Sequence, residues 1–471
     1  MTEILEKAET GRAPSPSGPG RSTPSVGGMI GDLKPYPAYK DSGVSWLRQV
    51  PVHWEVTKLK TIAKRIQNGS TPPTDSPQYY SDEGLPWFGP PSLGASLTMG
   101  RPTRSVSDLA IRDGKVRPIS PPALAVSVIG NVGRSALMVE PGATNQQITC
   151  FELWEQRVDA RFVAYQFRLA ESDLAASASS ATIAILDTFQ LRSTGLAIPV
   201  TKAEQAAIAR FLDYADRRIR RYIGAKKKLI ALLNEQKQAI IHRAVTRGLD
   251  PDVRLRPSGV DWLGDVPEPW ELARLGSLLQ ERGEMNRDES VTFVLSLLRN
   301  RGVIPYEDKG NIGNKKPDDI TRYKIVRPDD IVLNSMNVII GSVGLSSYTG
   351  CLSPVYYVLV RRSERDDPEY LNAVFQCRSF HQSLVRIGNG ILAHRMRIPM
   401  ELLKCELLPH PPPEEQARIV LALRAMTRDC DDAISHAERE VDLVREYRTR
   451  LVVLPTRVVD GHAADRRLSG E

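Results

Sequence analysis

The chain has 471 residues, a length that predicts about three domains at the usual size of roughly 150 residues each. Hydrophobic residues make up 41% of it, enough for buried cores, yet no run of about 18 apolar residues predicts a membrane span. A net charge of +7 permits a polyanionic partner, whereas five scattered cysteines without a Cys-x-x-Cys pair favour a reducing, cytoplasmic compartment over disulfides or structural zinc.

The first 35 residues are rich in Pro, Gly and Ser, and no apolar stretch among them is flanked by basic residues. This composition is typical of a disordered leader and not of a secretory signal peptide. We therefore expect the folded part of the chain to begin near residue 36.

An internal repeat is the main signal in the sequence. Residues 42–59 (SGVSWLRQVPVHWEVTKL) recur as residues 258–275 (SGVDWLGDVPEPWELARL), an offset of 216. Residues 129–135 (IGNVGRS) recur as residues 340–346 (IGSVGLS), an offset of 211. A chance match of short Trp-Pro motifs would not preserve this order and spacing. The period is too long for a solenoid, so the sequence predicts two copies of one unit.

A long helix is predicted at the end of each copy, because a Glu-Gln pair at 204–205, and again at 415–416, precedes a long segment without proline. Apolar residues then follow alternating steps of four and three, which is a heptad pattern. In the first segment these positions are Ile208, Leu212, Ala215, Ile219, Tyr222, Lys226, Leu229, Leu233, Gln236 and Ile240. The second segment repeats them 211 residues later at Ile419, Leu423, Met426, Cys430, Ala433, Ala437, Glu440, Val444, Tyr447 and Leu451. So narrow a stripe needs a partner, and the other long helix, packed antiparallel, is the nearest candidate.

Seven basic residues lie between Arg217 and Lys228 of the first predicted helix. They are consistent with a solvated helix face, with phosphate contacts, or with a surface on which a partner protein docks. The sequence alone leaves these three interpretations open.

The stretches 51–200 and 267–410 alternate short β-branched runs with helical patches and Gly or Pro, a pattern typical of α+β modules with irregular sheets. Both contain polar clusters in turn-rich loops. Asn and Gln can pair with adenine, and Arg with guanine, so these clusters are candidate DNA contacts, although each residue could also be an ordinary loop polar group. The candidates are Asn68, Ser70, Thr71, Trp87, Arg101, Arg104, Asn131, Arg134, Asn145, Gln146, Gln147, Arg299, Asn300, Arg301, Asn334 and Asn337.

Catalytic motifs are scarce. The chain has no H-E-x-x-H zinc motif, no phosphate-binding P-loop and no Asn/Asp-Pro-Pro-aromatic motif of adenine methyltransferases. The loops Gly130–Gly133 and Gly341–Gly344 fit tight turns better than nucleotide sites, and Glu307-Asp308-Lys309 lacks the upstream partner of a nuclease motif. We therefore assign no catalytic residue and no metal ligand, and expect the chain not to be an enzyme.

Over about residues 36–460 the chain resembles the specificity (S) subunit of type I restriction-modification systems. The resemblance rests on the S-G-V-x-W-L-x-x-V-P-x-x-W-E motif at Ser42–Glu55 and Ser258–Glu271, and on the Pro…Glu-Gln start of each long helix. The Leu-Leu-x-Glu-x-Lys…Val-Thr-x-Gly-Leu-Asp run at Leu232–Asp250 adds to it. The end of the second helix departs from the pattern, since Thr456–Asp460 matches Thr246–Asp250 only loosely.

The resemblance implies two α/β target recognition modules joined by two long antiparallel coiled-coil helices, with an internal pseudo-two-fold repeat. Each module would read one half of a bipartite DNA site, and the helices would act as a ruler for the spacer. The implied domains are a leader (1–35), a first module (36–200), a central helix (201–250), a second module (251–411), a C-terminal helix (412–460) and a tail (461–471).

The resemblance also implies partners. Two modification subunits would bring S-adenosylmethionine and restriction subunits would bring ATP and Mg²⁺, while this chain would bind double-stranded DNA, no cofactor and no membrane. The implied docking residues are Ile208, Leu212, Ile219, Leu229, Leu233, Ile419, Leu423, Met426, Val444 and Leu451. The alternatives are a freestanding DNA-binding protein and an enzyme with an unrecognised active site. Neighbouring genes for a methyltransferase and a helicase-nuclease would discriminate between them.

Overall fold

The computed structural model describes residues 35–178, 184–299, 301–310, 319–390 and 396–453. Its contacts divide the chain into a first unit, residues 1–222 with 443–471, and a second unit, residues 223–442. Each predicted long helix is therefore shared between the units. Most of the predicted leader and the tail lie outside the described residues. None of the described helices has both the length and the hydropathy needed to cross a membrane.

The first unit is built around a four-stranded antiparallel sheet. Its strands are β1 (Tyr39–Asp41), β2 (Gln49–Pro51), β3 (Trp54–Lys58), β4 (Ala63–Asn68), β5 (Tyr80–Phe88), β6 (Arg104–Val106), β7 (Ala123–Ser127), β8 (Ser135–Met138), β9 (Ala143–Thr144), β10 (Ile148–Leu153) and β11 (Gly195–Pro199). The main sheet has the order β4-β10-β7-β8, and β5 joins β6 and β9 in a second sheet. Two antiparallel pairs, β1-β2 and β3-β11, complete the unit.

Helices cover the main sheet of the first unit and lead out of it. They are α1 (Leu59–Ile62), α2 (Asp108–Arg112), α3 (Ala160–Leu169), α4 (Glu171–Ser177), α5 (Thr188–Arg192) and the long α6 (Lys202–Arg247), of which residues 202–222 belong here. Asp159 is the N-cap of helix α3, and its carboxylate accepts the backbone N–H groups of Arg161 and Phe162. Its buried ring of Phe162 packs edge-on against Trp54, with centroids 5.7 Å apart.

The second unit repeats this plan. Its strands are β12 (Leu255–Pro257), β13 (Asp265–Pro267), β14 (Glu271–Arg274), β15 (Leu279–Glu281), β16 (Leu295–Leu298), β17 (Gly302–Pro305), β18 (Lys324–Val326), β19 (Ile331–Asn334), β20 (Val343–Leu345), β21 (Gly350–Leu352), β22 (Tyr356–Arg361) and β23 (Leu407–His410). Its helices are α7 (Leu275–Leu278), α8 (Pro368–Gln376), α9 (Arg378–Ser383), α10 (Met400–Leu403) and α11 (Pro413–Val453). Only residues 413–442 of α11 belong to this unit.

The predicted duplication is confirmed by the sheet topology. The order β4-β10-β7-β8 of the first unit returns as β15-β22-β19-β20, and the pairs β1-β2 and β3-β11 return as β12-β13 and β14-β23. The copies differ where the second sheet forms: the first unit has the three-stranded β6-β5-β9, and the second has the pairs β16-β17 and β18-β21. The mixed α and β composition predicted for each module is confirmed as well.

The two long helices are antiparallel, as predicted. In the second unit Lys226 of α6 pairs with Glu440 of α11 at 2.5 Å, and Lys237, further along α6, pairs with the earlier Asp431 at 2.6 Å. In the first unit the Arg448 guanidinium of α11 donates to the buried Asp216 carboxylate of α6 at 2.7 Å. Ion pairs within each unit thus connect the two helices.

Several predicted heptad positions are wrong, because the inner position on each helix is shifted there by one residue toward the C-terminus. On α6 the predicted Tyr222, Leu229 and Gln236 are exposed, and the inner positions are Ile223, Ile230 and Lys237. On α11 Thr427 is buried in place of Met426, and Val441 in place of Glu440. A straight helix with 3.6 residues per turn drifts by about 20° per heptad against a 3.5-residue repeat, which explains the shift.

The Glu-Gln start of each long helix is a buried junction. The Gln205 side chain accepts the backbone N–H of Asp159 at 2.7 Å and donates to the carbonyl oxygen of Pro199 at 2.9 Å. In the second unit Gln416 accepts from Asp367 at 2.9 Å and donates to Pro411 at 2.9 Å. Both glutamines therefore tie a long helix to the N-cap of the helix packed against it.

An ion pair next to this junction has opposite polarity in the two units. In the first unit Arg161, two residues after the N-cap Asp159, donates to Asp213 of α6 at 3.1 Å. In the second unit Glu369, two residues after the N-cap Asp367, accepts from Arg424 of α11 at 2.8 Å. Asp213 and Arg424 each lie nine residues after the glutamate of the Glu-Gln pair, so the charges are exchanged at equivalent positions.

We expect E369R and R424E, each alone, to lower the free energy of unfolding by about 0.5–1 kcal/mol, because each brings like charges together on a partly exposed surface. The double variant E369R/R424E, which adopts the polarity of the first unit, should recover most of this loss. Urea-induced unfolding measures all three variants. R428E, an exposed charge reversal on the same helix, serves as the control, and a double variant as unstable as the sum of its single variants would contradict the pairing.

Candidate nucleic-acid interface

One end of the main sheet in the first unit collects most of the candidate DNA contacts. Antiparallel register pairs Asn68 at the end of β4 with Thr149 of β10, and pairs Ser127 at the end of β7 with Ile148. Strand β8 begins at Ser135, opposite Val126. The loops 68–71, 128–134 and 145–147 therefore emerge at the same end of the sheet.

Loop 68–71 is bonded to the segment before β10. The Ser70 N–H donates to the Thr144 carbonyl oxygen at 2.8 Å, and the Gly69 N–H donates to that of Ile148 at 3.0 Å. The indole Nε1 of Trp87 donates to the Ser70 carbonyl oxygen at 3.0 Å. A Cβ atom on Gly69 would lie 2.1 Å from the Asn145 carbonyl oxygen, so only glycine permits this close approach.

The amide side chains at this sheet end bond to their neighbours. Asn145 Nδ2 donates to Gln147 Oε1 at 2.9 Å, and the Gln147 backbone N–H donates to Asn145 Oδ1 at 3.1 Å. The Thr71 hydroxyl donates to the exposed Gln146, and the Thr149 hydroxyl donates to Asn68 Oδ1 at 2.8 Å. The amides are therefore held in place before any ligand arrives.

The four remaining candidates of the first unit have separate surroundings. The exposed Arg104 lies on β6 with its guanidinium 5.3 Å from the centre of the Tyr80 ring. Arg101 is exposed in the preceding loop, and Asn131 is exposed in the β7–β8 turn. Arg134, at the end of that turn, lies 3.7 Å from the Glu171 carboxylate of α4. The three arginines carry positive charge, and that of Arg134 faces the Glu171 carboxylate.

The equivalent sheet end of the second unit carries its candidates. Strand β19 ends at Asn334, whose Oδ1 accepts the Met336 N–H at 3.0 Å, and the half-buried Asn337 follows in the β19–β20 turn. Arg299 and Arg301 are exposed in the β16–β17 turn, where Arg301 donates to the Asp308 carbonyl oxygen at 3.2 Å. Asn300 lies outside the described residues.

A buried histidine supports the β19–β20 turn. The ring of His381 lies directly under Gly341, where a Cβ atom would be 3.0 Å from its Cε1. Its Nε2 lies within hydrogen-bond distance of the Phe375 carbonyl oxygen and so carries the proton. Burial, with a smaller contribution from the charge of Arg299, lowers the pKa of His381 to about 4. The histidine is therefore neutral at physiological pH.

Comparison with known proteins finds a family match in the first half of the chain. Residues 51–230 match the family described as type I restriction modification DNA specificity domain. A putative type I restriction enzyme MjaX specificity subunit of Methanocaldococcus jannaschii is 23% identical over 271 residues, covering 56% of this chain and 59% of that protein. The first half of the chain is therefore similar to type I specificity subunits.

Two further likenesses are weaker. The EcoprrI specificity subunit of Escherichia coli is 28% identical over 111 residues, 22% of this chain. The alignments thus span about three fifths of the first relative's length and about a quarter of the second's. A solved structure titled "Structural basis underlying complex assembly and conformational transition of the type I R-M system" shares the fold at a TM-score of 0.59 and 14% identity, covering 87% of this chain and 98% of that one.

The structure separates surface candidates from supporting residues. Trp87 is only 8% exposed and its indole N–H is used inside the protein, so it holds loop 68–71 and its ring does not face a ligand. Sequence reasoning missed Tyr80 and His381, which touch candidate segments only through long-range contacts. The sequence pattern did contain Tyr80 in a polar run, yet nothing in that run pointed to Arg104.

The predicted docking residues fall into two groups. Ile208, Leu212, Ile219, Ile419, Leu423 and Leu451 are buried within their own units, so in this structure they pack internally. Leu229 is 41% exposed and Met426 is 52% exposed, while Leu233 and Val444 are half-buried. Within the basic run, Lys226 pairs with Glu440 and Arg220 with Asp216, whereas Arg217, Arg221, Lys227 and Lys228 are exposed.

We expect Gly69→Ala to destabilise the first unit by about 1–3 kcal/mol, because the new methyl group would displace loop 68–71 from the Asn145 backbone. Gly94→Ala is the matched control, since its Cβ would meet nothing within 4 Å and such a change costs at most about 0.5 kcal/mol. Urea-induced unfolding gives the free energies. Hydrogen exchange should show faster exchange at Ser70 in G69A only; equal stability of the two variants would contradict the close approach.

We expect the stability of the second unit to fall as the pH decreases from about 6.5 towards 4. The pKa of His381 in the folded chain is lowered to about 4, whereas the ordinary pKa of histidine is about 6.5, so the unfolded chain binds a proton in this range before the folded chain does. The slope from this group is at most about 1.4 kcal/mol per pH unit. His381→Gln should reduce the slope, measured by thermal unfolding at each pH, whereas the exposed His436→Gln should not.

Proposed function

We propose that this chain is the DNA-recognition subunit of a type I restriction-modification complex and that it performs no catalysis itself. The supporting observation is that the two units share one sheet topology but carry different polar residues near the corresponding end of the sheet. Equivalent four-stranded sheets present Asn68, Gln146 and Gln147 in the first unit, but Arg299 and Asn334 in the second. Each unit would read one half of a bipartite, non-palindromic site in double-stranded DNA.

The exposed side chains suit this role chemically. Amide and guanidinium groups at the ends of sheets can reach base edges in the major groove, and nearby arginines can contact phosphates. The long helices α6 and α11 would set the length of the unspecified spacer. Their shared membership in both units makes them the natural ruler between two half-sites.

The partners in this proposal are two modification subunits and the restriction subunits. The modification subunits, which would hold S-adenosylmethionine, would dock on exposed apolar residues of the long helices, including Leu229 and Met426. ATP and Mg²⁺ would act on the restriction subunits, and the complex would work in the cytoplasm. This chain would contribute sequence recognition and no cofactor.

Methylome sequencing tests the proposal. In a host with intact partner subunits, deletion of this gene should abolish adenine methylation at one bipartite motif, and the wild-type gene should restore it. An unchanged methylome would overturn the proposed function.

A second version of the experiment exchanges residues 51–200 for the corresponding module of another specificity subunit. Since only the first unit changes, one half of the methylated motif should change and the other half and the spacer should stay. A change in both half-sites would contradict separate recognition by the two units.

A further inference from the structure

The orientation of one amide pair at the sheet end of the first unit is fixed by the backbone. The backbone N–H of Gln147 donates to the Asn145 side chain at 3.1 Å. A backbone N–H can only donate, so the atom that receives it is the Asn145 oxygen and the other terminal atom is its NH₂ group. That NH₂ group donates to Gln147 at 2.9 Å, so the Gln147 atom facing it is the oxygen.

This chain of bonds leaves the Gln147 NH₂ group for a ligand. Gln147 is half-exposed, and its Nε2 has no hydrogen-bond partner in the part of the chain that the structure describes. Because its oxygen is engaged by Asn145, Gln147 offers an incoming base two N–H donors. The NH₂ group is thus fully free to donate, whereas one of the two lone pairs of the oxygen is already used by Asn145.

The pair is rigid. Asn145 is only 8% exposed, its N–H donates to the Phe88 carbonyl oxygen at 3.0 Å, and its carbonyl oxygen accepts from Ile148 at 3.1 Å. The residue is therefore anchored between the end of β5 and the start of β10. Little conformational freedom remains to be lost on binding, which favours discrimination between bases.

The surrounding candidates are donors too. Asn68 Oδ1 is engaged by the Thr149 hydroxyl at 2.8 Å, and the Gln146 oxygen is engaged by Thr71. Arg101 and Arg104 carry guanidinium groups, which cannot accept a hydrogen bond. This sheet end and the segment 101–104 therefore carry exposed N–H donors.

Base edges respond differently to such a surface. In the major groove guanine presents two acceptors, N7 and O6, whereas adenine and thymine present one acceptor each and cytosine presents only a donor. The bidentate pairing of glutamine with adenine needs an acceptor on the glutamine as well. On Gln147 the adenine N6–H would have to share the oxygen with Asn145, whereas the free NH₂ group can donate to guanine without competition.

We propose that the half-site read by the first unit contains a guanine that Gln147 recognises through N7 and O6. This inference rests on the proposed function, since it names the base that the same site would read. In the second unit the Asn334 oxygen accepts the backbone N–H of Met336 at 3.0 Å, as the Asn145 oxygen accepts that of Gln147, so Asn334 serves as a comparison position in the other half-site.

The test uses the full-length chain co-purified with its modification subunits and a duplex DNA library with random half-sites. Wild-type protein should enrich a bipartite motif with guanine at one position of the first half-site. Gln147→Glu keeps the oxygen that faces Asn145 but replaces the donor with an acceptor. We expect Q147E to lose the guanine preference by about tenfold and to favour cytosine there, with the second half-site unchanged.

Two further variants make the test decisive. Gln147→Met, which has neither donor nor acceptor at this point, should lose the guanine preference without gaining cytosine, even where Q147E folds poorly. Asn334→Asp should alter the second half-site only. Enrichment of no bipartite motif by the wild-type complex would refute the proposed function itself. A wild-type motif that Q147E and Q147M leave unchanged would refute only the role of Gln147.

Discussion

A buried carboxamide at the start of each long helix connects that helix to its sheet-bearing module. Gln205 and Gln416 each bond the backbone N–H of an N-cap aspartate and a carbonyl oxygen just before the long helix. Both side chains are almost fully buried, so an unpaired amide or carbonyl there would cost about 1–3 kcal/mol. This glutamine is consequently one of the residues that fix each module to its long helix.

The surroundings of this junction show how far the two copies have diverged while keeping it. In the first unit Glu204 accepts from the Trp54 indole at 3.0 Å, but the buried Nε1 of Trp270 has no such partner among the described residues. The ion pair Arg161–Asp213 is replaced by the reversed pair Glu369–Arg424. The reversal preserves attraction inside each unit and would place like charges together if a module packed on the wrong helix. It therefore favours correct assembly of two similar modules in one chain.

Features with a local period could be predicted from the sequence, and features that depend on distant contacts could not. The repeat, the sheet-bearing modules and the antiparallel helices follow from motif order and from apolar spacing. The exact inner face of α6 could not be predicted, because a heptad pattern drifts along a straight helix. Ile230 lies on that face in place of the predicted Leu229. Trp87 was predicted to contact DNA, yet it is buried and its indole N–H donates to the Ser70 carbonyl oxygen, a packing contact that no local pattern encodes.

The same distinction applies to recognition. A sequence identifies Asn145, Gln146 and Gln147 as three amides in a row, each able to donate and to accept. Only the fold shows that the Asn145 oxygen is engaged by a backbone N–H and the Gln147 oxygen by Asn145. Under the proposed function, these internal hydrogen bonds would decide which groups of each amide are left for DNA. Base preference would then depend on the internal bonds as well as on the identity of the exposed residue, because the bonds fix which atoms of an amide can still donate or accept.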